Sequence, residues 1–463
     1  MKRSESLDAL RGLAILLMVY SGSIAFGDAL PGWMFHAQVP PPHHVFNPDL
    51  PGITWVDLVF PFFLFSMGAA IPLALRKRIQ QKEATGKILL HILKRFVLLA
   101  FFAVFTMHAR AWVMSSNPSV TEYILSIGCF ILLFLIYGSF KGMIPARVEM
   151  LLKLAGWVLA VAFLVFYPFK GAGFSVNTVD VIILVLANMA LFGTLVWWLT
   201  KEQPLWRIAI LPFVMGVFLA STEKDSVNML LFNWSPAPWL YKFYYLKYLF
   251  IILPATLAGE WLLERKPTGM DEEKGKLWDG LAVVVIVLIL LANVAGLYMR
   301  LLLPNLIFTL ALGTVLLFLL RSSVRNSLGG LGKFVKAGLY LLMLGLCFEA
   351  YQGGIKKDFS TYSYYFVCTG LAFLTLSSMI ILEDRGYLKS VMTFFALNGK
   401  NPMVAYTAGN LLLIPLLKIT GANVWFDSLT GNAVEGIWRG FIFTGIVSLI
   451  TVFFAKKKIF WKT

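Results

Sequence analysis

Long apolar runs, separated by short polar segments, recur from one end of the chain to the other. Most runs are about 17 to 25 residues long, which lets an α-helix cross a hydrocarbon layer of about 30 Å. The pattern therefore predicts a bundle of about 11 to 14 transmembrane helices. The predicted spans are 7–26, 53–75, 88–108, 121–140, 150–169, 179–199, 205–221, 246–264, 278–299, 301–320, 335–350, 363–383, 390–416 and 437–455, of which 205–221 is short and 390–416 is interrupted.

The composition agrees with a membrane protein. Of the 463 residues, 59% are hydrophobic and only 14% are charged, whereas soluble domains carry about 25% charged residues. No polar stretch is long enough to form an inserted soluble domain. We therefore expect an all-α polytopic bundle that forms a single integral-membrane domain over residues 1–463.

The net charge of +16 reflects membrane topology and gives no indication of nucleic-acid binding. About 26 of the 40 Lys and Arg residues lie at the two ends or in alternate loops, the bias expected of cytoplasmic segments. Both termini are therefore predicted to be cytoplasmic, and the 27–52 loop, which has no Lys or Arg, to be extracytoplasmic. The basic loops are 76–87, 141–153, 201–207, 265–276, 321–336 and 385–389.

Candidate chemistry is concentrated in the 27–52 loop and at the start of the second span. The loop contains His36, His43 and His44, and Asp57 lies near the beginning of the helix that follows. Histidine is the side chain best suited to act as a nucleophile or general base near neutral pH. Asp57 can orient such an imidazole as in a catalytic triad, or cap the helix together with Thr54. The two roles of Asp57 are compatible.

Two further polar groups lie at the predicted cytoplasmic side. Asp8 and Arg11 are three residues apart and so share one helix face; they form either a structural ion pair or a functional site. The polar segment that begins at Asn398 interrupts the thirteenth span, which predicts backbone that faces protein or a water-filled cavity. Arg11, Lys400 and Asn401 are the candidate contacts for a phosphate-bearing substrate.

Other classes of site have less support. The three cysteines lie inside apolar runs without the spacing of metal ligands, so no metal is expected. The chain has no glycine-rich loop of the nucleotide-binding type, so a pump driven by nucleoside triphosphates is not expected.

Four segments resemble the heparan-α-glucosaminide N-acetyltransferase family and its bacterial relatives. They are Ser6–Gly12 (SLDALRG), Gly52–Phe62 (GITWVDLVFPF), Lys457–Lys462 (KKIFWK) and, more loosely, Asn398–Tyr406 (NGKNPMVAY). The similarity extends from the first span to the last residues, although the middle third matches mainly in hydropathy.

The resemblance implies a reaction and two kinds of site residue. That family moves an acetyl group from cytoplasmic acetyl-CoA to a glucosamine amine across the membrane. Its essential histidine precedes the Asp-Leu-Val-Phe-Pro block, which here implies His44 or His43, with Asp57 as the carboxylate. Two departures are visible: the spacing from the histidine to Gly52 is longer here, and Ser21–Ser23 replaces an asparagine at the end of the first span.

We therefore expect an acyltransferase of a bacterial inner membrane that uses acetyl-CoA as donor and an amino sugar or other glycan as acceptor. His44, oriented by Asp57, is the leading candidate for the catalytic group, with His43 as the alternative, and Asp8 and Asn398 as supporting residues. The rival hypothesis is a transporter or flippase for a sugar or glycolipid, in which the loop histidines couple to protons. Apart from membrane lipid and the acceptor, the sequence predicts no partner, and it leaves a homodimer open.

Overall fold

The computed structural model describes residues 4–140, 142–265, 273–323 and 330–462. Its regular secondary structure is almost entirely helical, because each long apolar run forms an α-helix that satisfies its own backbone hydrogen bonds. The helices are α1 (Glu5–Ser21), α2 (Trp55–Gln80), α3 (Thr85–His108), α4 (Ala111–Met114), α5 (Val120–Tyr137), α6 (Ala146–Phe166), α7 (Val181–Leu199), α8 (Pro204–Leu219), α9 (Val227–Asn233), α10 (Leu249–Glu264), α11 (Glu273–Tyr298), α12 (Leu302–Ser323), α13 (Gly332–Cys347), α14 (Tyr362–Arg385), α15 (Lys389–Gly399), α16 (Pro402–Ala408), α17 (Ile414–Thr420), α18 (Asn423–Ser428) and α19 (Ala433–Lys456).

The predicted fold class is confirmed. In the described part of the chain, 11 helical stretches are long and apolar enough to cross a membrane, and each corresponds to a predicted span. The other three predicted spans form α1, with 17 residues, and α8 and α13, with 16 residues each. At 1.5 Å per residue, 16 residues extend only about 24 Å, so α8 and α13 are shorter than a full hydrocarbon layer. Lys2, Arg3, Lys141, Lys266 and Arg325, which contribute to the charge bias, lie outside the described residues.

The predicted interruption of the thirteenth span is confirmed as well. Helix α15 ends at Gly399, and α16 begins at Pro402 after Asn401, whose φ of −135° and ψ of 52° are not helical. Proline lacks a backbone N–H and disfavours a helical conformation at the residue before it, so it begins a new helix here. A wide π-helical turn, Gly409–Leu413, then connects α16 to α17.

The chain forms two compact units. The first unit comprises Met1–Arg76, Phe250–Gly399 and Thr430–Gly440, and the second comprises Lys77–Leu249, Lys400–Leu429 and Phe441–Thr463.

Helix α14 is the central helix of the first unit. In its most apolar 18-residue stretch 94% of the residues are buried, compared with 33% for α11 and 28% for α12. Helices α1, α11 and α13 pack around α14. Since α11 and α12 are apolar yet mostly uncovered, their outer faces are suited to contact with lipid.

In the second unit the C-terminal tail closes back onto the bundle. Phe460–Trp461 (β2) pairs antiparallel with Gly138–Ser139 (β1), which directly follows α5. The Trp461 indole is buried and its ring centroid lies 4.8 Å from that of Phe134. The Asn401 side chain accepts a hydrogen bond from the backbone N–H of Trp461 at 3.1 Å and donates one to the backbone carbonyl of Ile459 at 2.9 Å. The Ile-Phe-Trp-Lys end is therefore a docking element that Asn401 holds in place.

Candidate active site

Asp57 is fully buried in the first turn of α2, where it completes the helix cap. Its Oδ2 atom accepts hydrogen bonds from the Thr54 N–H at 2.9 Å and from the Thr54 hydroxyl at 3.3 Å. The Thr54 hydroxyl oxygen in turn accepts from the Val56 N–H at 3.2 Å. This reciprocal arrangement confirms the capping role predicted for Asp57. It also fixes the carboxylate, because the bonds to Thr54 hold its Oδ2 atom in place.

The second oxygen of the carboxylate binds His36. Oδ1 of Asp57 lies 2.7 Å from Nδ1 of His36, and the Ala37 N–H donates to Oδ2 at 3.3 Å. A carboxylate beside Nδ1 makes that nitrogen the donor, so the neutral imidazole presents the lone pair of Nε2 on its other side. The His36 side chain is 37% exposed while Asp57 is fully buried. The pair thus combines an accessible imidazole with a buried orienting carboxylate.

His44 does not contact Asp57, so the predicted pairing of these two residues is wrong. The Nε2 atom of His44 accepts a hydrogen bond from the Gly27 N–H at 2.9 Å, and Nδ1 donates to the Val39 carbonyl at 3.2 Å. Its ring packs against Phe35, with the centroids 4.5 Å apart. Both nitrogens are thus used within the loop, and His44 holds the loop in shape. His43, the alternative candidate, is exposed to solvent.

The loop folds back onto α2 because it has a small apolar core of its own. The amide of Gln38, which is fully buried, donates hydrogen bonds to the carbonyls of Leu50 at 2.9 Å and Gly52 at 3.2 Å. These bonds tie the middle of the loop to its end, which brings His36 beside the first turn of α2. The buried apolar side chains of this core are Ile24, Ala25, Leu30, Met34 and Phe35.

A lysine from the segment before α14 completes the site. Nζ of Lys357 lies 3.1 Å from Nδ1 and 3.2 Å from Nε2 of His36. The Gly52 N–H donates to the Ile355 carbonyl at 2.7 Å, which fastens this segment to the end of the loop. Tyr364 is buried in the first turn of α14. Its hydroxyl donates a hydrogen bond to the backbone carbonyl of Asp57 at 2.7 Å. The start of α14 and the start of α2 are therefore held together around His36.

No sequence pattern pointed to Lys357 or Tyr364. They follow His36 by more than 300 positions, and no local pattern connects them with it. One signal was available for the lysine: it lies in a loop predicted to be extracytoplasmic, where Lys and Arg are uncommon. A basic residue that departs from the topology bias is a candidate for function.

Arg11 makes the predicted ion pair with Asp8, at 3.4 Å. Its guanidinium also donates hydrogen bonds to the Ser66 carbonyl at 3.2 Å and to the Gly399 carbonyl at 3.5 Å. Gly12 and Gly399 let α1 and α15 approach closely here, since a Cβ on Gly12 would lie 1.8 Å from the carbonyl oxygen of Phe395. Arg11 therefore connects α1, α2 and α15, and its 14% side-chain exposure leaves little of it accessible.

Three predicted residues remain, Asn398, Lys400 and Asn401, and their surroundings differ. Asn398 is fully buried and its amide donates to the Phe394 carbonyl at 3.0 Å. Asn401 holds the C-terminal tail, so the structure assigns its amide a structural role and lends no support to a contact with acetyl-CoA. Lys400 is half-buried. In the part of the chain that the structure describes, no group of three or more His, Cys, Asp and Glu is arranged to hold a metal ion.

Comparison with known sequences identifies a family. No curated protein matches this chain. A family model described as a domain of unknown function, DUF5009, matches residues 3–262, which include α1, the histidine loop and the Asp57 helix. Because the match covers more than half of the 463 residues, the chain belongs to the DUF5009 family.

Proposed function

We propose that this protein is a membrane-embedded acyltransferase in which His36, oriented by Asp57, handles the transferred acyl group. The observation that carries the proposal is the 2.7 Å contact between Nδ1 of His36 and the buried carboxylate of Asp57. A purely structural cap would need only the contacts of Asp57 with Thr54. The additional contact gives an accessible imidazole a fixed tautomer, which is the arrangement that acyl transfer uses in catalytic triads.

The imidazole can act in two ways. In one, Nε2 attacks the thioester carbonyl and forms an acyl-imidazole, which the acceptor amine then cleaves. In the other, Nε2 removes a proton from the amine as the amine attacks the thioester directly. In both, Asp57 stabilises the imidazolium that forms. Neither oxygen of Asp57 has to move, because the cap already holds the carboxylate.

The proposed donor is acetyl-CoA and the proposed acceptor is an amino sugar or another glycan. The proposed location is a bacterial inner membrane. The distribution of Lys and Arg supports an orientation with both termini in the cytoplasm and the His36 loop outside. Arg11 and Lys400 are then the proposed contacts for the phosphates of the donor. Ser66, which binds Arg11, follows Asp57 by nine positions on α2, about 14 Å along the helix axis. A thioester on an extended arm would need to cross only that distance to reach His36.

The test is a transfer assay on the purified full-length protein. Labelled acetyl-CoA is supplied together with a panel of amino sugars, and the wild type is compared with His36→Ala and with His43→Ala as the matched control. We expect acetylated sugar from the wild type and from His43→Ala but not from His36→Ala. No product with any acceptor, together with sugar uptake by proteoliposomes, would instead favour a transporter.

A further inference from the structure

The ammonium group of Lys357 occupies an unusual position beside His36. Its distances to the two ring nitrogens, 3.1 and 3.2 Å, are nearly equal. At these distances a nitrogen in the ring plane would overlap other ring atoms, so Nζ lies out of the plane, over the ring. The in-plane lone pair of Nε2 therefore remains open to a substrate, and a positive charge lies beside the place where that substrate would react.

We propose that Lys357 is a catalytic residue that stabilises the oxyanion of the tetrahedral intermediate in acyl transfer. The inference rests on the proposed acyltransferase function. An acyl carbon bonded to Nε2 places its oxygen next to this nitrogen, within hydrogen-bonding reach of an ammonium that is 3.2 Å from it. A cation fixed where negative charge develops stabilises the transition state more than the neutral thioester.

The steps balance as follows. The Nε2 lone pair forms a bond to the thioester carbonyl carbon, and the carbonyl π electrons move to oxygen, where Lys357 stabilises the negative charge. The carbonyl re-forms as the carbon–sulfur bond breaks, which leaves an acyl-imidazolium beside the Asp57 carboxylate and releases CoA as thiolate. The acceptor amine then attacks the acyl carbon through a second oxyanion. Neutral His36 leaves, and the proton lost by the amine completes the CoA thiol.

The oxyanion is common to both routes. If the amine attacks the thioester directly while His36 acts as base, the carbonyl oxygen also becomes negative. Lys357 is then close to the oxygen as well, because the amine must lie within hydrogen-bond reach of Nε2. The role proposed for Lys357 therefore does not depend on whether an acyl-enzyme forms.

The backbone that carries Lys357 is held in place, as a preorganised donor requires. Just before Lys357, the Ile355 carbonyl accepts from the Gly52 N–H at 2.7 Å, and the Ile355 N–H donates to the Glu349 carboxylate at 3.2 Å. Glu349 is itself paired with Arg300. The adjacent Lys356 donates its N–H to the Thr361 hydroxyl at 3.1 Å, which closes the turn that contains Lys357. The ammonium is therefore directed at His36 before any substrate binds.

A different role has to be distinguished in the test. Lys357 is also close enough to Asp57 to stabilise its charge, which would make the lysine a structural counter-ion of the His36–Asp57 pair. A structural counter-ion affects folding and substrate binding, whereas an oxyanion contact exists mainly in the transition state. The two roles therefore differ in how kcat and KM respond to substitution.

The experiment compares Lys357→Met, Lys357→Arg and the matched control Lys356→Met in the full-length protein, with acetyl-CoA and the best acceptor of the panel. We expect Lys357→Met to lower kcat by about 10²- to 10³-fold and to leave KM for acetyl-CoA within about twofold. Lys357→Arg keeps the positive charge and should recover most of the rate. Lys356→Met removes the same charge one residue away and should stay within about threefold of wild type.

Three outcomes would overturn the role of Lys357. One is a Lys357→Met variant with wild-type kcat while His36→Ala is inactive. The second is a folded Lys357→Arg variant as inactive as Lys357→Met, since Arg cannot lose a proton and the lysine would then act as a proton carrier or nucleophile. The third is a wild type that transfers no acyl group to any acceptor, which overturns the proposed function together with this inference. Size-exclusion chromatography in detergent establishes that each variant is folded, and Lys357→Gln replaces Lys357→Met if the latter aggregates.

Discussion

Nδ1 of His36 lies 2.7 Å from Oδ1 of Asp57, although the two residues are 21 positions apart. The intervening chain folds back and is held by the Gln38 amide, which donates to the carbonyls of Leu50 and Gly52. Of the three loop histidines, His36 is the one that meets the buried carboxylate, and the proposed function rests on this contact.

The three loop histidines should respond differently to alanine substitution. His36→Ala is expected to lower acyl-transfer turnover by at least about 10³-fold with normal folding. His44→Ala removes two hydrogen bonds to backbone groups, so it should lower the free energy of unfolding by about 1 to 3 kcal/mol and retain activity per folded molecule. The exposed His43 should tolerate alanine in both respects. Turnover and thermal unfolding measured on the same preparations give the comparison, and an inactive, stable His44→Ala would return the catalytic role to His44.

Asp57→Asn separates the capping role of Asp57 from its role toward His36. The amide oxygen of asparagine can still accept the Thr54 N–H, so the melting temperature should change little. It cannot stabilise an imidazolium, so turnover should fall by about 10²- to 10⁴-fold. Asp57→Ala is the control, because it removes the cap and should lower both stability and turnover. A wild-type turnover in Asp57→Asn would mean that the carboxylate serves only the helix start.

Asn401 and Lys400 are adjacent, but substitution of Asn401 should affect stability and substitution of Lys400 should affect binding of the donor. Asn401→Ala removes two hydrogen bonds to the C-terminal tail and should destabilise the protein by about 1 to 3 kcal/mol, with KM for acetyl-CoA unchanged. If Lys400 binds a phosphate of the donor, Lys400→Ala should raise that KM by about fivefold and leave stability unchanged. Steady-state kinetics and thermal unfolding of both variants test this. A higher KM in Asn401→Ala alone would assign the donor contact to Asn401.

Substitution of Gly12 tests how closely α1 and α15 cross. Gly12→Ala would place a Cβ 1.8 Å from the carbonyl oxygen of Phe395, so the two helix backbones would have to separate. We expect a loss of about 1 to 3 kcal/mol in stability. Gly128→Ala in α5 is the matched control, because a Cβ there meets nothing within 4 Å, and alanine favours the helix. Equal melting temperatures for the two variants would contradict the close crossing.

The sidedness of the membrane topology can be measured with single cysteines. In a variant whose cysteines at 129, 347 and 368 are replaced by serine, Val45→Cys and Gln81→Cys each supply one exposed thiol. An impermeant thiol reagent applied to intact cells should label Val45→Cys, and label Gln81→Cys only after the cells are opened. Labelling of Gln81→Cys alone from outside would reverse the orientation.

The helical architecture could be predicted from the sequence, because an apolar run in a membrane has few ways to satisfy its backbone polar groups. The same holds for local features, where the interacting residues are within one helical turn. The Asp57 cap with Thr54, the Asp8–Arg11 pair and the break before Pro402 all depend on spacing of this kind, and all three are present.

Contacts between distant residues were decided only by the tertiary structure. Periodicity and spacing carry no information about how an irregular loop folds back, so the sequence could not distinguish His36 from His43 and His44 as the partner of Asp57. The contact between Lys357 and His36 could not be predicted either, because it depends on where α14 packs relative to α2. The histidine loop and Asp57 were visible in the sequence, whereas Lys357 and Tyr364 were not. Which of them meet was determined by the loop's own core and by hydrogen bonds such as that from Gly52 to Ile355.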